Sequence, residues 1–300
     1  MGLNFKKELV VDETQLFPGT ERAPPSPTRL QDRLLSKLGK DAFPFHLEFP
    51  HNSPTSVTLQ PGLEAGEPCG VEYYVRAVVE QLDREKTCVN MTIRKIQFAP
   101  TRQGRQPSTT VRKDFLFSEG VLELEATLNK QLYHHGDDIT CSFVVRNTSV
   151  KTVKKISVSL VQNIDIAMFS GGHAAPKIMQ IETTEGCPIG PGASVHKEIL
   201  LAPTCRGLLR SGVAVDGRLK GDDTCLASST LLADEEDKDI FGLVISYSVR
   251  VKLFLGALAG DLVAELPFVL MNPRLVNSLV LHCTAQLKVK PLSLSQAKHS

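Results

Sequence analysis

The chain has 300 residues, 42% of them hydrophobic, so it is long enough to bury one large core or two smaller ones. Its 34 basic and 33 acidic residues nearly cancel, and bulk charge therefore gives no reason to expect a nucleic-acid partner. The seven cysteines are odd in number and contain no CxxC pair, which favours reduced thiols over a disulfide framework or a zinc site.

The first predicted element is a helix with Thr28 as its N-cap. Thr28 and Gln31 have the spacing of a capping box, in which each side chain bonds the backbone N–H of the other residue. Leucines recur every four residues on one helical face: Leu30, Leu34 and Leu38. Gly39 is typical of a helix end. The pattern predicts a single amphipathic helix of about three turns.

Elsewhere the hydrophobic pattern has a period of two, which is typical of strands. Alternating or β-branched runs occupy residues 71–79, 122–126, 139–145 and 245–253. Turn-forming Gly, Pro and Asn separate the runs at residues 59–62, 146–149 and 190–193. Short strands at this spacing predict an all-β chain of antiparallel β-sandwiches. The longest apolar region, residues 241–270, contains four charged residues and cannot span a bilayer.

Residues 92–98 form a further alternating run, and it carries two adjacent cations. Arg94 and Lys95 point to opposite faces of a strand, so one of them must face inward. A strand Arg is usually a solvated surface residue, and burial is tolerable only where carboxylates and hydrogen bonds surround it. The segment 213–230 supplies Asp216 and Asp223 around a cationic turn. These two carboxylates are the predicted partners of the inward-facing cation.

The strings IRKIQFAP at residues 93–100 and DGRLKGDDTCLASST at residues 216–230 resemble the arrestin family. In arrestins these segments form a polar core, in which an Arg of the N-domain is held by two Asp of a gate loop in the C-domain. The resemblance implies that Arg94 is a phosphate sensor and that Asp216 and Asp223 are its partners. It also implies that Lys220 is a gate-loop lysine that follows the phosphate.

The resemblance extends over residues 1–273 and implies two arrestin-like, immunoglobulin-like β-sandwich domains with one short helix. The strings EGCPIGPGA and VISYSVR look most like the visual arrestins of invertebrates. The domain boundaries that follow are a partial N-domain at 1–100, a linker at 101–109, a C-domain at 110–273 and an atypical tail at 274–300.

The two ends of the chain depart from the family pattern. Arrestins begin with strands upstream of MGLNFKKEL and end in an acidic-aromatic regulatory tail, for which the residues after Pro273 have no match. The expectation is a chain truncated at both ends, with an incomplete N-domain. A shortened isoform and an incomplete gene model both explain this departure.

Several cations match other sites of the family. Three lysines match phosphate-contacting positions: Lys6, Lys7 and Lys37. A lysine in the last turn of a helix or on an edge strand also has a purely structural explanation. Arg250 and Lys252 match two positions of the inositol-phosphate site in the C-domain. Ser157 and Val161 stand where that site has further cations, which weakens the match.

An apolar loop matches the edge of the C-domain that touches the bilayer in arrestins. Its candidate membrane contacts are Phe254, Leu255 and Leu258. Away from such an edge, an apolar run of this kind more commonly marks a strand end in the core.

The resemblance predicts a receptor-silencing arrestin. Such a protein binds the activated, phosphorylated cytoplasmic face of a seven-helix receptor, here an opsin, and excludes its G protein, which ends the visual signal. It would be cytoplasmic and peripheral at the receptor-bearing membrane, with no cofactor and no metal. His134, His135 and His173 lack the spacing of a metal or catalytic site, so an enzyme is not expected. The alternatives are a cargo or endocytic adaptor of the arrestin fold and a non-functional fragment.

Overall fold

The computed structural model describes most of the chain, in segments separated by short gaps. The described residues are 10–17, 26–39, 42–50, 53–60, 68–80, 86–116, 119–166, 172–204, 212–216, 225–231, 242–256 and 259–274. They contain one helix, α1 (Arg29–Leu38). The strands are β1 (Val57–Leu59), β2 (Cys69–Val71), β3 (Tyr73–Glu80), β4 (Lys86–Ile93), β5 (Ser108–Asp114), β6 (Val121–Leu128), β7 (Leu132–His134), β8 (Ile139–Asn147), β9 (Lys155–Ile166), β10 (Gly172–Ala174), β11 (Lys177–Thr183), β12 (Ser194–Leu201), β13 (Ala214–Val215), β14 (Leu243–Phe254) and β15 (Leu262–Met271).

The helix α1 has the termini that its sequence predicts. The Thr28 hydroxyl accepts from the Gln31 backbone N–H at 3.3 Å, and the Thr28 N–H donates to Gln31 Oε1 at 2.9 Å. Both halves of the predicted capping box are therefore present. The helix ends at Gly39, whose φ of 79° suits a residue without a side chain.

Two compact units are present. The described residues of 1–53 and 75–91 form the first, and those of 54–74 and 92–276 form the second. The first unit contains α1 and most of the two-stranded sheet of β3 and β4. No described apolar residue of this unit is buried.

The second unit is a β-sandwich. One sheet has the strand order β10-β9-β14-β15-β7, with β11 also pairing with β9, and the other has the order β12-β8-β6-β5. Burial alternates along β6 and through most of β15, as the period-two pattern predicts. Inward residues of both sheets belong to one apolar cluster, which includes Leu124, Val145, Leu160, Val249 and Leu266. A third, smaller sheet has the order β13-β1-β2.

The predicted all-β architecture with a single short helix is confirmed over the described residues. The runs at 122–126, 139–145 and 245–253 lie inside β6, β8 and β14. The run at 71–79 is divided at Glu72 between β2 and β3. The predicted domain boundaries at 100 and 110 stay predictions, and residues 92–116 belong to the second compact unit.

The strand predicted over residues 92–98 is wrong beyond Ile93, where β4 ends. The next backbone groups bond elsewhere: Lys95 N donates to Ser56 Oγ at 2.9 Å, and Lys95 O accepts from Ser56 N at 2.9 Å. Because Ser56 takes both backbone groups of Lys95, the ladder of β3 and β4 does not continue through it. Phe98 then forms an isolated bridge with Asn272.

Within the described part of the chain, no helix has the length and apolar character that a membrane crossing requires.

Candidate functional site

The pairing of β1 and β13 brings Arg94 and Asp216 together. Asp216 directly follows β13, which runs antiparallel to β1 with Val215 opposite Thr58. Ser56 lies just before β1 and binds the backbone of Lys95. The segment after β4 and the end of β13 therefore meet at the start of β1, and Arg94 reaches Asp216 from there.

The pairing of β7 and β15 brings two further side chains to the same place. These strands are parallel, with His134 opposite Met271, so that His135 and Asn272 are the next residues on each. The His135 N–H donates to Met271 O at 3.1 Å. Asn272 O accepts from Ala99 N at 2.9 Å, which ties the segment that carries Arg94 to the end of β15.

Asp216 is a buried carboxylate that accepts hydrogen bonds from uncharged donors. Its side chain is 4% exposed. Oδ1 accepts from Ser228 N at 2.8 Å, and Oδ2 accepts from Ser228 Oγ at 2.9 Å and from Asn272 Nδ2 at 3.1 Å. Three donors therefore fix the carboxylate and offset part of its loss of hydration.

Arg94 faces this carboxylate through charge alone. Its Nη2 is 3.6 Å from Asp216 Oδ2, too far for a good hydrogen bond, and its side chain is 28% exposed. The Arg94 Nε is buried, and no described residue accepts a hydrogen bond from it. Opposite charges about 4 Å apart near a protein surface attract by about 4 kcal/mol. The guanidinium is thus attracted to Asp216 without being bonded to it.

The segments on either side of Asp216 are anchored to the large sheet by two buried polar side chains. Gln162 on β9 donates from Nε2 to Ala214 O at 2.9 Å and accepts at Oε1 from Ala214 N at 2.8 Å. Tyr247 on β14 donates from its hydroxyl to Ala227 O and accepts from Gln162 Nε2 at 2.7 Å. The segments that hold the carboxylate are therefore hydrogen-bonded to the large sheet of the second unit.

Sequence reasoning identified Arg94 and Asp216 and missed His135, Ser228 and Asn272. His135 belonged to no predicted site, yet its side chain is 11% exposed and its Nε2 lies 3.7 Å from Asp216 Oδ2. The small polar stretch LASST was a signal for Ser228, since hydroxyl groups beside a carboxylate are natural donors. No local signal marks Asn272.

Five predicted residues lie outside the described residues: Asp223, Lys220, Lys6, Lys7 and Leu258. Their roles stay predictions. Lys37 is an exposed residue in the last turn of α1, where the helix dipole alone favours a cation.

Arg250 and Lys252 lie on β14, and each is paired with a carboxylate. Arg250 Nη2 is 3.1 Å from Glu265 Oε1, and Lys252 Nζ is 2.8 Å from Asp261 Oδ2. The Lys252 ammonium is the main cause that lowers the pKa of Asp261. Ser157 lies opposite Lys252 in the sheet and adds no cation. Inositol-phosphate binding stays a prediction, and an anion would compete there with two carboxylates.

The two described residues of the predicted membrane edge have different environments. Leu255 is 7% exposed and packs in the main core, as the strand-end alternative for this run predicts. Phe254 is half-buried, with Lys155 Nζ and Lys252 Nζ at 4.5 Å and 4.7 Å from its ring centroid. Both cations are therefore within range of the ring face. Membrane contact at this edge stays a prediction.

Comparisons with known proteins match both halves of the chain. The family model described as "Arrestin (or S-antigen), N-terminal domain" matches residues 1–99, and "Arrestin (or S-antigen), C-terminal domain" matches residues 118–275. "Arrestin homolog" of Heliothis virescens is 47% identical over all of this chain and 80% of its own length. "Phosrestin-2" of Drosophila melanogaster is 48% identical over 91% of this chain and 77% of its own. "Arrestin, lateral eye" of Limulus polyphemus is 45% identical over 91% of this chain and 68% of its own.

These matches confirm the likeness to invertebrate arrestins that the strings EGCPIGPGA and VISYSVR predict. The Arg94 and Asp216 segments lie inside the two matched regions, one in each. With both domain models matched in order along the sequence, the chain belongs to the arrestin family.

Proposed function

We propose that this chain binds the activated, phosphorylated form of a seven-helix receptor, and that Arg94 senses the phosphate. The observation that carries the proposal is the contact between Arg94 and Asp216, in which a guanidinium lies 3.6 Å from a buried carboxylate without a hydrogen bond. Members of the arrestin family bind receptors of this kind, which supports the same role here.

The geometry explains how a phosphate could displace the carboxylate. Asp216 keeps its bonds to Ser228 and Asn272 when Arg94 leaves, so the carboxylate is not stranded without partners. The phosphate must overcome only the Coulombic attraction between Arg94 and Asp216. A receptor phosphate carries nearly two negative charges and accepts a bidentate pair of hydrogen bonds from a guanidinium. A phosphate therefore offers Arg94 direct hydrogen bonds that Asp216 does not give it.

The receptor we propose is an opsin, and the site of action is the cytoplasmic face of its membrane. Support comes from the similarity to a protein named for the lateral eye. The bound chain would occupy the surface that the G protein needs and thereby end the signal. This role requires no catalysis and no cofactor.

The test is co-sedimentation of the chain with rhodopsin membranes in four forms: dark or light-activated, each phosphorylated or unphosphorylated. The unmodified chain should bind the activated phosphorylated form preferentially. Arg94→Glu should bind the activated unphosphorylated form nearly as well, because repulsion from Asp216 now replaces the attraction that phosphate must overcome. Arg102→Glu reverses the charge of an exposed arginine and should leave the preference unchanged.

Two results would contradict the proposal. An Arg94→Glu variant that keeps the full preference for phosphate would show that Arg94 is not the sensor. Equal binding of the unmodified chain to all four membranes would contradict the proposed receptor silencing and favour the cargo-adaptor alternative.

A further inference from the structure

His135 is a second basic side chain beside the Asp216 carboxylate. Its Nε2 lies 3.7 Å from Asp216 Oδ2, almost the same distance as the 3.6 Å from Arg94 Nη2 to that oxygen. The side chain is 11% exposed, and the His135 backbone is fixed by its bond to Met271 O. The imidazole and the guanidinium therefore approach the same carboxylate oxygen from two different strand ends.

Counting donors and acceptors assigns the hydrogen of the neutral imidazole. The Ser228 hydroxyl has one hydrogen, and the strongest hydrogen bond that it can donate is the one to the Asp216 carboxylate at 2.9 Å. Its oxygen must then accept from Asn272 Nδ2 at 3.0 Å and from His135 Nε2 at 3.1 Å. His135 Nε2 is thus the donor, and acidification adds a proton at Nδ1.

The groups around His135 set the direction in which its pKa is shifted. Burial is the largest effect and lowers the pKa of His135, and electrostatic interactions with Arg94 and His134 lower it further. The Asp216 carboxylate acts in the opposite direction. His134 itself lies 3.5 Å from Asp137 Oδ2, which faces it from the following turn. At neutral pH His135 is therefore uncharged, and Arg94 is the cation that balances Asp216 among the described residues.

We propose that His135 is a positioning residue of the Arg94 and Asp216 pair, and that protonating its imidazole loosens Arg94 from the carboxylate. A charged His135 gives Oδ2 a second cation and repels the guanidinium, so both effects weaken the hold on Arg94. The inference rests on the proposed function for its biological meaning, since a loosened Arg94 is easier for a phosphate to capture. The geometric statement itself can be tested without a receptor.

The experiment measures how much Arg94→Gln lowers the thermal unfolding midpoint of the full chain at two pH values. In the unmodified background the loss should be smaller at the lower pH, because the lowered pKa of His135 leaves the imidazole uncharged at about pH 8, and protonation below that pKa adds its positive charge. In a His135→Gln background the loss should be the same at both pH values. Gln keeps an N–H for Ser228 but cannot gain the charge.

A matched control is available on β12. His196 Nε2 also lies 3.1 Å from a serine hydroxyl, that of Ser142, but it is exposed and has no ion pair with a described carboxylate. The pH dependence of the Arg94→Gln loss should survive His196→Gln unchanged. If it disappears there too, the effect is not specific to His135 and the inference is wrong.

A second measurement uses the unmodified chain, in case His135→Gln folds poorly. The ring resonances of His135 and the Nε–H resonance of Arg94 should shift with the same pH midpoint in nuclear magnetic resonance spectra. If the Arg94 resonance does not shift over the pH range in which His135 titrates, the inference is wrong.

The outcomes separate this inference from the proposed function. A pH-dependent loss in a chain that binds no phosphorylated receptor would support the role of His135 and contradict receptor silencing. A pH-independent loss in a chain that binds phosphorylated receptor through Arg94 would contradict the role of His135 and leave receptor silencing supported.

Discussion

Two arginines of the second unit each face a carboxylate, and the two pairs are built differently. Arg94 lies 3.6 Å from a carboxylate that is 4% exposed and bound by three uncharged donors. Arg250 lies 3.1 Å from Glu265, which is 46% exposed and also accepts from Ser248 Oγ. The closer pair is therefore the more hydrated one.

The difference shows that distance alone does not indicate which pair acts as a switch. Water can replace Arg250 around the exposed Glu265, so breaking that pair has little consequence. Water cannot readily replace Arg94 beside the buried Asp216, so its removal leaves a charge without a counterion. Only the buried pair can convert the loss of one contact into a change of several kcal/mol.

The largest expected effect is that of removing the buried carboxylate. Asp216→Ala should lower the free energy of unfolding by about 3–5 kcal/mol, because it strands Arg94 and leaves the Ser228 N–H without an acceptor. Asp216→Asn should cost less, since one oxygen still accepts. Urea denaturation followed by circular dichroism gives both values.

The control for that prediction is Glu265→Ala at the exposed pair, which should change the free energy of unfolding by less than about 1 kcal/mol. Similar losses at the two sites would mean that Asp216 is solvated in solution, and the contrast between the pairs would be wrong.

An intermediate effect is expected where the segments beside Asp216 are anchored. Tyr247→Phe removes the hydroxyl that binds Ala227 O and Gln162 Nε2, and it should cost about 1–3 kcal/mol. Hydrogen exchange should speed up at the Ala227 and Ser228 amides, which lie on the anchored segment.

Tyr133→Phe is the matched control for Tyr247→Phe. Tyr133 is also buried, and its hydroxyl binds Asn129 instead of the segments beside Asp216. Removal of the Tyr133 hydroxyl should leave hydrogen exchange at the Ala227 amide unchanged. Faster exchange in both variants would show that the segments respond to general destabilisation and are not anchored through Tyr247.

How much of this the sequence could predict depends on the range of the interactions involved. The capping box of α1 and the strands β6 and β8 follow from side chains within a few residues of one another, and the sequence predicts them closely. The run at 92–98 alternates just as well, yet β4 ends at Ile93 because Ser56 takes the backbone groups of Lys95. A strand pattern does not reveal which partner its backbone will find.

The candidate site shows the same limit. The resemblance to arrestins led to Arg94 and Asp216, because their segments carry distinctive strings. His135 and Ser228 are 93 residues apart, and they meet only because β7 pairs with β15 beside the segment after β13. Nothing local to His135 distinguishes it from His134, whose side chain is more exposed.

The smallest expected effect concerns salt, and it separates the two pairs most directly. Glu265→Gln keeps an oxygen that can accept from Ser248 Oγ and removes only the charge facing Arg250. Its cost of less than about 1 kcal/mol should vanish in about 1 M sodium chloride, where the Debye length falls to about 3 Å. The cost of Asp216→Ala should persist in the same salt, since ions do not screen a carboxylate enclosed by Ser228, Asn272 and His135. Urea denaturation with and without salt measures both. If the Asp216→Ala cost also vanished, ions would have access to the Arg94 and Asp216 pair, and a receptor phosphate would have no buried contact to break.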